Sequence, residues 1–164
     1  MSEPLAAFSG TAPYLDTMIP YALLRGIDPA ARVLFERIEA EELQGYTSVL
    51  TFDELAYRML LAAIRDHYDG SPLAQLRSNE VQMIAEFYPS IAPHMSRLRK
   101  FHNLALVDIT SSDLDLMDES MRMYQVRPRD ALHLAAMQKV GCLDLVSQDP
   151  DFDRIPTVRR YTLS

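Results

Sequence analysis

Four carboxylates stand where apolar runs give way to helices or turns. Asp16 follows Ala12-Pro13-Tyr14-Leu15, Glu54 closes Thr51-Phe52-Asp53-Glu54, Asp130 sits in Arg127-Pro128-Arg129-Asp130-Ala131-Leu132-His133, and Asp149 lies in Ser147-Gln148-Asp149-Pro150-Asp151. Hard oxygen ligands of this kind hold Mg2+ or Mn2+ with several waters retained. One or two such ions can activate water and stabilise the leaving oxygen of an in-line phosphoryl displacement. Each acid alone also has a local explanation. Asp16 suits a helix cap after a strand, and Glu54 completes a Thr-x-x-Glu capping box. Asp130 falls in a first helical turn, where the macrodipole favours an acid, and Asp149 before proline suits a turn. Four acids at the edges of one apolar framework point instead to a metal-assisted site.

Other chemistries find less support. Five glycines form neither a phosphate-cradling loop nor a Gly-x-Ser-x-Gly elbow. The four histidines, His67, His94, His102 and His133, lack zinc-ligand spacing, and one cysteine makes neither a zinc finger nor an internal disulfide. Only His133 lies near the acids, where it is expected to pack its helix or to take part in chemistry.

The elements that must position these acids alternate between strand and helix patterns. Strands are expected at Ala12 to Thr17, Tyr46-Thr47-Ser48, Leu104 to Ile109, Leu143 to Ser147 and, at a sheet edge because of its arginines, Thr157 to Thr162. Helices are expected over about 19–24, 29–43, 51–64, two segments within 71–103 separated by Pro89 and Pro93, 112–124, and from Pro128 to the stop at Gly141. Val33, Leu34 and Ile38 would form one inward stripe, and Leu114, Met117, Met121 and Tyr124 another. Residues 1–11 read as a loose extension. Alternation of this kind implies a mainly parallel sheet, covered on both faces, with its site beyond the carboxyl ends of the strands.

A chain of 164 residues, 48% hydrophobic and 24% charged, is expected to form one globular domain. No apolar run reaches the roughly 18 residues of a membrane span, and Met1-Ser2-Glu3-Pro4 lacks a basic leader, so a cytoplasmic protein is expected. A net charge of −7 argues against a broad basic nucleic-acid face. It does not argue against an enzyme acting on nucleic acid, because bound cations invert the local field.

Four stretches, Tyr14-Leu15-Asp16-Thr17, Thr51-Phe52-Asp53-Glu54-Leu55, Arg129 to Ala136 and Leu145 to Phe152, occur in the order found in PIN-domain ribonucleases. The sequence resembles that superfamily, and within it the VapC-like toxins of toxin–antitoxin pairs. The resemblance implies a PIN-like three-layer α/β/α sandwich of about five strands, spanning 1–164, with 1–11 as an extension and about 71–103 as a longer helical segment. It implies a Mg2+- or Mn2+-dependent endoribonuclease that hydrolyses RNA with a metal-bound water, leaving a 5′ phosphate and a 3′ hydroxyl. Carried over by position, Asp16, Glu54, Asp130 and Asp149 are the metal ligands. Ser147 and Thr17 support them, and Asp151 serves either a second ion or the turn. A small antitoxin is the implied partner. Met18 departs from the pattern, since many members carry Asn there, and removes a polar contact beside the first ligand. A catalytically weak PIN-like module binding RNA or protein is the alternative, and a metal-dependent phosphatase is a more distant one.

RNA would have to be held locally. Arg127 and Arg129 flank the third acid and offer bidentate phosphate contacts, or else neutralise the carboxylates. The run Arg97, Arg99, Lys100 reads as a solvated helix face. Methionine-bearing stripes on the inserted helices are expected to supply a homodimer or antitoxin surface.

Overall fold

The computed structural model describes residues 2–163; Met1 and Ser164, the two ends of the expected domain, lie outside the described residues. The strands are β1 (Glu3–Pro4), β2 (Tyr14–Leu15), β3 (Gly45–Ser48), β4 (Leu104–Val107), β5 (Asp144–Val146) and β6 (Arg159–Thr162). They form one sheet in the order β1-β6-β5-β2-β3-β4, and every pairing is parallel. The helices are α1 (Met18–Arg25), α2 (Pro29–Glu39), α3 (Val49–His67), α4 (Pro72–Ser78), α5 (Glu80–Arg99), α6 (Asp113–Tyr124) and α7 (Pro128–Lys139).

Successive residues of a strand face opposite sides, so each short strand serves two cores. Tyr14 and its neighbour Leu145 pack with Leu134 and Met137 of α7, whereas Leu15 and Val146 pack with Ile19, Leu34, Leu55 and Met83 of the α1–α5 layer. The result is the expected three-layer α/β/α arrangement. From β2 the chain runs outward through β3 and β4, then returns to the other side of β2 as β5 and continues to β6. The strand order therefore reverses beside β2 and β5, and crevices of parallel sheets open at the carboxyl ends of such strands.

Several expectations need correction. The sheet has six strands rather than about five, because the supposed loose extension supplies β1 and buries Leu5 and Phe8. β6 is consequently not an edge: it lies between β1 and β5. Its arginines are matched by acids, Arg159 to Asp144 at 2.6 Å and the buried Arg160 to Asp153 at 2.9 Å. The segment 71–103 holds α4 and one continuous α5 that runs through Pro89 and Pro93. Its stripe of Met83, Phe87, Ile91, Met95 and Leu98 is buried, so core packing overrides the local cost of the prolines. The methionines there thus face the core; Val81, Ile84 and Tyr88 are the exposed apolar residues.

Two smaller differences follow from packing. In α2, Val33 is exposed and Ala31 and Phe35 join Leu34 and Ile38 in the core; in α6, Leu114 is exposed. Gly45 opens β3, where a Cβ would meet Ile38 Cδ1 at 2.9 Å and Leu104 Cδ1 at 3.0 Å.

Candidate metal centre

The end of β2 delivers Asp16 into the crevice between two sequence-distant segments. Its Oδ2 accepts the Ser147 hydroxyl at 2.6 Å, its Oδ1 accepts the Thr17 amide at 2.7 Å, and its backbone amide donates to Val146. Asp16 is buried, and its carboxylate makes no helix cap. Ser147 Oγ also accepts the Asp149 amide at 3.0 Å, so one hydroxyl ties the first acid to the loop bearing the fourth. Asp149 in turn caps a 3-10 turn, accepting from the Asp151 amide at 2.9 Å. The local explanation of Asp149 therefore holds alongside any ligand role.

Glu54 reaches the same crevice from α3, and for a reason other than the expected capping box. The helix begins at Val49, and Thr51 is buried within it against Thr47 at 2.7 Å. Glu54 points instead to Thr17, whose hydroxyl donates to Oε2 at 2.6 Å. On its other side stand His133 Nε2 at 3.7 Å and Arg129 Nη1 at 3.8 Å. Burial opposes ionisation of Glu54 and is the largest single influence, but His133, Thr17 and Arg129 together outweigh it and hold the carboxyl below its ordinary value.

His133 is fully buried in α7. Tyr14 Oη lies 2.8 Å from its Nδ1, while Nε2 has no hydrogen-bond partner among the described residues and faces Glu54. It is both a packing residue and a neighbour of the site. The Tyr14 phenol is pushed up, above all by burial, and stays neutral.

Asp130, in the first turn of α7, carries the strongest tension. Burial first, and then the charges of Asp149 and Asp16, push its carboxyl up to about 6, and its Oδ2 is buried without a hydrogen-bond partner among the described residues. Unpaired buried carboxylate oxygens and crowded like charges are costly, and a cation relieves both. Ligand atoms of Asp16, Glu54 and His133 lie within 4.8 Å of one another, as do those of Asp130, Asp149 and Asp151. Asp151 has other partners as well, Arg154 at 2.9 Å and Arg127 at 3.7 Å.

Asp16, Glu54, Asp130 and Asp149 line one open cleft of about 670 Å3, together with Thr17, Met18, Arg127 and Arg129. The two arginines meet acids: Arg129 reaches Asp53 at 3.0 Å, and Arg127 lies 3.9 Å from Asp149. Both are more than half exposed, so these pairs are weak and exchangeable. The sequence reading missed three further lining residues, Tyr57, Arg58 and Leu61. Their positions at three, four and seven residues beyond Glu54, one helical face, were the available signal.

Comparison with known proteins agrees with this architecture. The PIN-domain family model matches residues 14–158. Similar solved structures include a toxin–antitoxin complex from Klebsiella pneumoniae, with TM-score 0.56, 18% identity, and coverage of 89% of this chain and 94% of that one. VapBC2 from Rickettsia felis, bound to a promoter DNA fragment, gives TM-score 0.59 and 14% identity over 93% and 98%. PAE2754 from Pyrobaculum aerophilum gives 0.52 and 16% over 93% and 90%. Among curated protein sequences there is no match.

Proposed function

Because the chain belongs to the PIN-domain family, we propose that it is a metal-dependent endoribonuclease and the VapC-like toxin of a toxin–antitoxin pair. The observation that carries the metal is Asp130: a buried, unpartnered carboxylate oxygen among further acids, in an open cleft. Asp16, Glu54, Asp130 and Asp149 would hold Mg2+ or Mn2+, since an all-oxygen set at strand ends and helix starts suits a hard cation. When bound, the cation supplies charge neutralisation and Lewis acidity toward the phosphodiester.

The remaining work falls to side chains already placed. Thr17 and Ser147 hold the Glu54 and Asp16 carboxylates in fixed orientations. Arg127 and Arg129 exchange their carboxylate partners for substrate phosphate. A small antitoxin is the proposed partner, in keeping with two similar structures that are toxin–antitoxin assemblies. A homodimer through the exposed Val81, Ile84 and Tyr88 belongs to the same proposal. Among the described residues no helix is long and apolar enough to cross a membrane.

Met18 on the cleft wall favours a second reading, a catalytically weak PIN-like module that binds RNA or protein. Incubation of a labelled RNA with the purified chain and Mn2+ separates the two. Cleavage that stops in excess chelator supports the enzyme; binding without cleavage supports the module.

A further inference from the structure

The α3 wall of the cleft carries more than a metal ligand. Glu54, Tyr57, Arg58 and Leu61 fall on one helical face and line the same cleft. Tyr57 lies one turn beyond Glu54, about 4.5 Å along the axis, and Leu61 about 10 Å beyond it. Tyr57 is 45% exposed, and among the described residues its ring has neither a ring contact nor a hydrogen bond. Arg58 is exposed, and among the described residues it has no carboxylate partner, unlike Arg127 and Arg129 in the same cleft. An open aromatic face beside an unpaired guanidinium, leading away from a carboxylate cluster, matches the repeating unit of a single-stranded nucleic acid. Every unpaired base has a π-face to stack, and every linkage has a phosphate to pair.

We propose that this α3 face is the substrate wall: Tyr57 stacks on an unpaired base next to the scissile linkage, and Arg58 pairs with a neighbouring backbone phosphate. The proposal rests on the nuclease reading and specifies single-stranded RNA as the form of substrate taken. At the roughly 3.4 Å spacing of stacked nucleotides, the stretch from Glu54 to Leu61 accommodates about three of them. A protein segment lying in the cleft would not require an unpaired cation one position from the ring.

The test uses the full chain, a fluorescent single-stranded RNA oligonucleotide and Mn2+, and reads both KM and kcat for cleavage and anisotropy for binding. Tyr57→Ala is expected to raise KM about tenfold with little change in kcat, while Tyr57→Trp retains binding. An abasic site beside the cut should cost the wild type a similar factor and cost Tyr57→Ala little more, because both remove the same stack. Arg58→Ala should lower the slope of log affinity against log salt by about 0.7, one single-strand phosphate contact. Thermal melts establish that the variants are folded. If the wild type cleaves and these variants keep its KM and salt slope, the wall is overturned and the nuclease reading stands. If the wild type binds RNA through Tyr57 without cutting, the nuclease reading falls and the wall stands. No binding by the wild type, or variants that weaken only a protein partner, overturns the wall.

Discussion

Thr17 donates its hydroxyl to Glu54 Oε2 at 2.6 Å, linking the β2–α1 junction to the second turn of α3. Thr17 is itself buried, which fixes the donor in place at the edge of the cleft. Outer hydrogen bonds of this kind typically carry one to two orders of magnitude in metal affinity or activity, because they fix the orientation of the ligand. Thr17→Val keeps the side-chain shape and removes the donor. It is expected to weaken Mn2+ binding by about tenfold in a calorimetric titration, and Thr17→Ser to restore most of it. Equal affinity in Thr17→Val would remove Thr17 from the site.

Asp130 gives a pH-dependent stability of definite sign. Its folded value of about 6 lies above the ordinary 3.8, so folding favours the protonated form. The contribution is present in full below about pH 4 and is lost as pH rises through about 6; above that, ionised Asp130 opposes folding. Asp130→Asn is therefore expected to stabilise the metal-free protein at pH 7.5 by about 1 kcal/mol after discounting for solvent screening. That corresponds to roughly 2–4 °C in Tm. The gain should vanish near pH 4, and a melting series across pH with and without the substitution checks it.

Arg160 is a buried cation that holds the loop of the fourth acid. Its Nε and Nη2 donate to Asp153 at 2.9 Å each, and its Nη1 donates to the Ser147 carbonyl at 3.1 Å. Arg160→Met leaves that carbonyl and Asp153 without their guanidinium. A loss of about 2 kcal/mol is expected, below the cost of breaking a fully buried pair because Asp153 is partly exposed. A Tm within 1 °C of wild type would show that the pair contributes nothing.

Much of the site was legible because the period of the sequence changes where the acids stand. Short apolar runs end at Asp16 and again before Asp149, and a helical pattern begins near Asp130, so all three belong to the same end of a parallel sheet. Glu54 stood out as one of four acids, but the local alternative offered for it fails: its spacing from Thr51 suggested a capping box, whereas its partner is Thr17, thirty-seven positions away. Tyr57 and Arg58 escaped because the helix over 51–64 was read only for its start and not for the face that carries Glu54 onward. The edge strand β1 has two residues, too few to leave any periodicity. Continuity of α5 through two prolines depends on tertiary packing, which no local rule contains.

The role proposed for Asp16, Glu54, Asp130 and Asp149 together is metal-dependent RNA hydrolysis. Cleavage of a labelled RNA in Mn2+ by the wild type, Asp16→Asn and Asp130→Asn, each with and without excess chelator, tests it most directly. The expected result is cleavage by the wild type only, abolished by chelator, with both variants folded and inactive. Cleavage that persists in chelator, or that survives both substitutions, would contradict it.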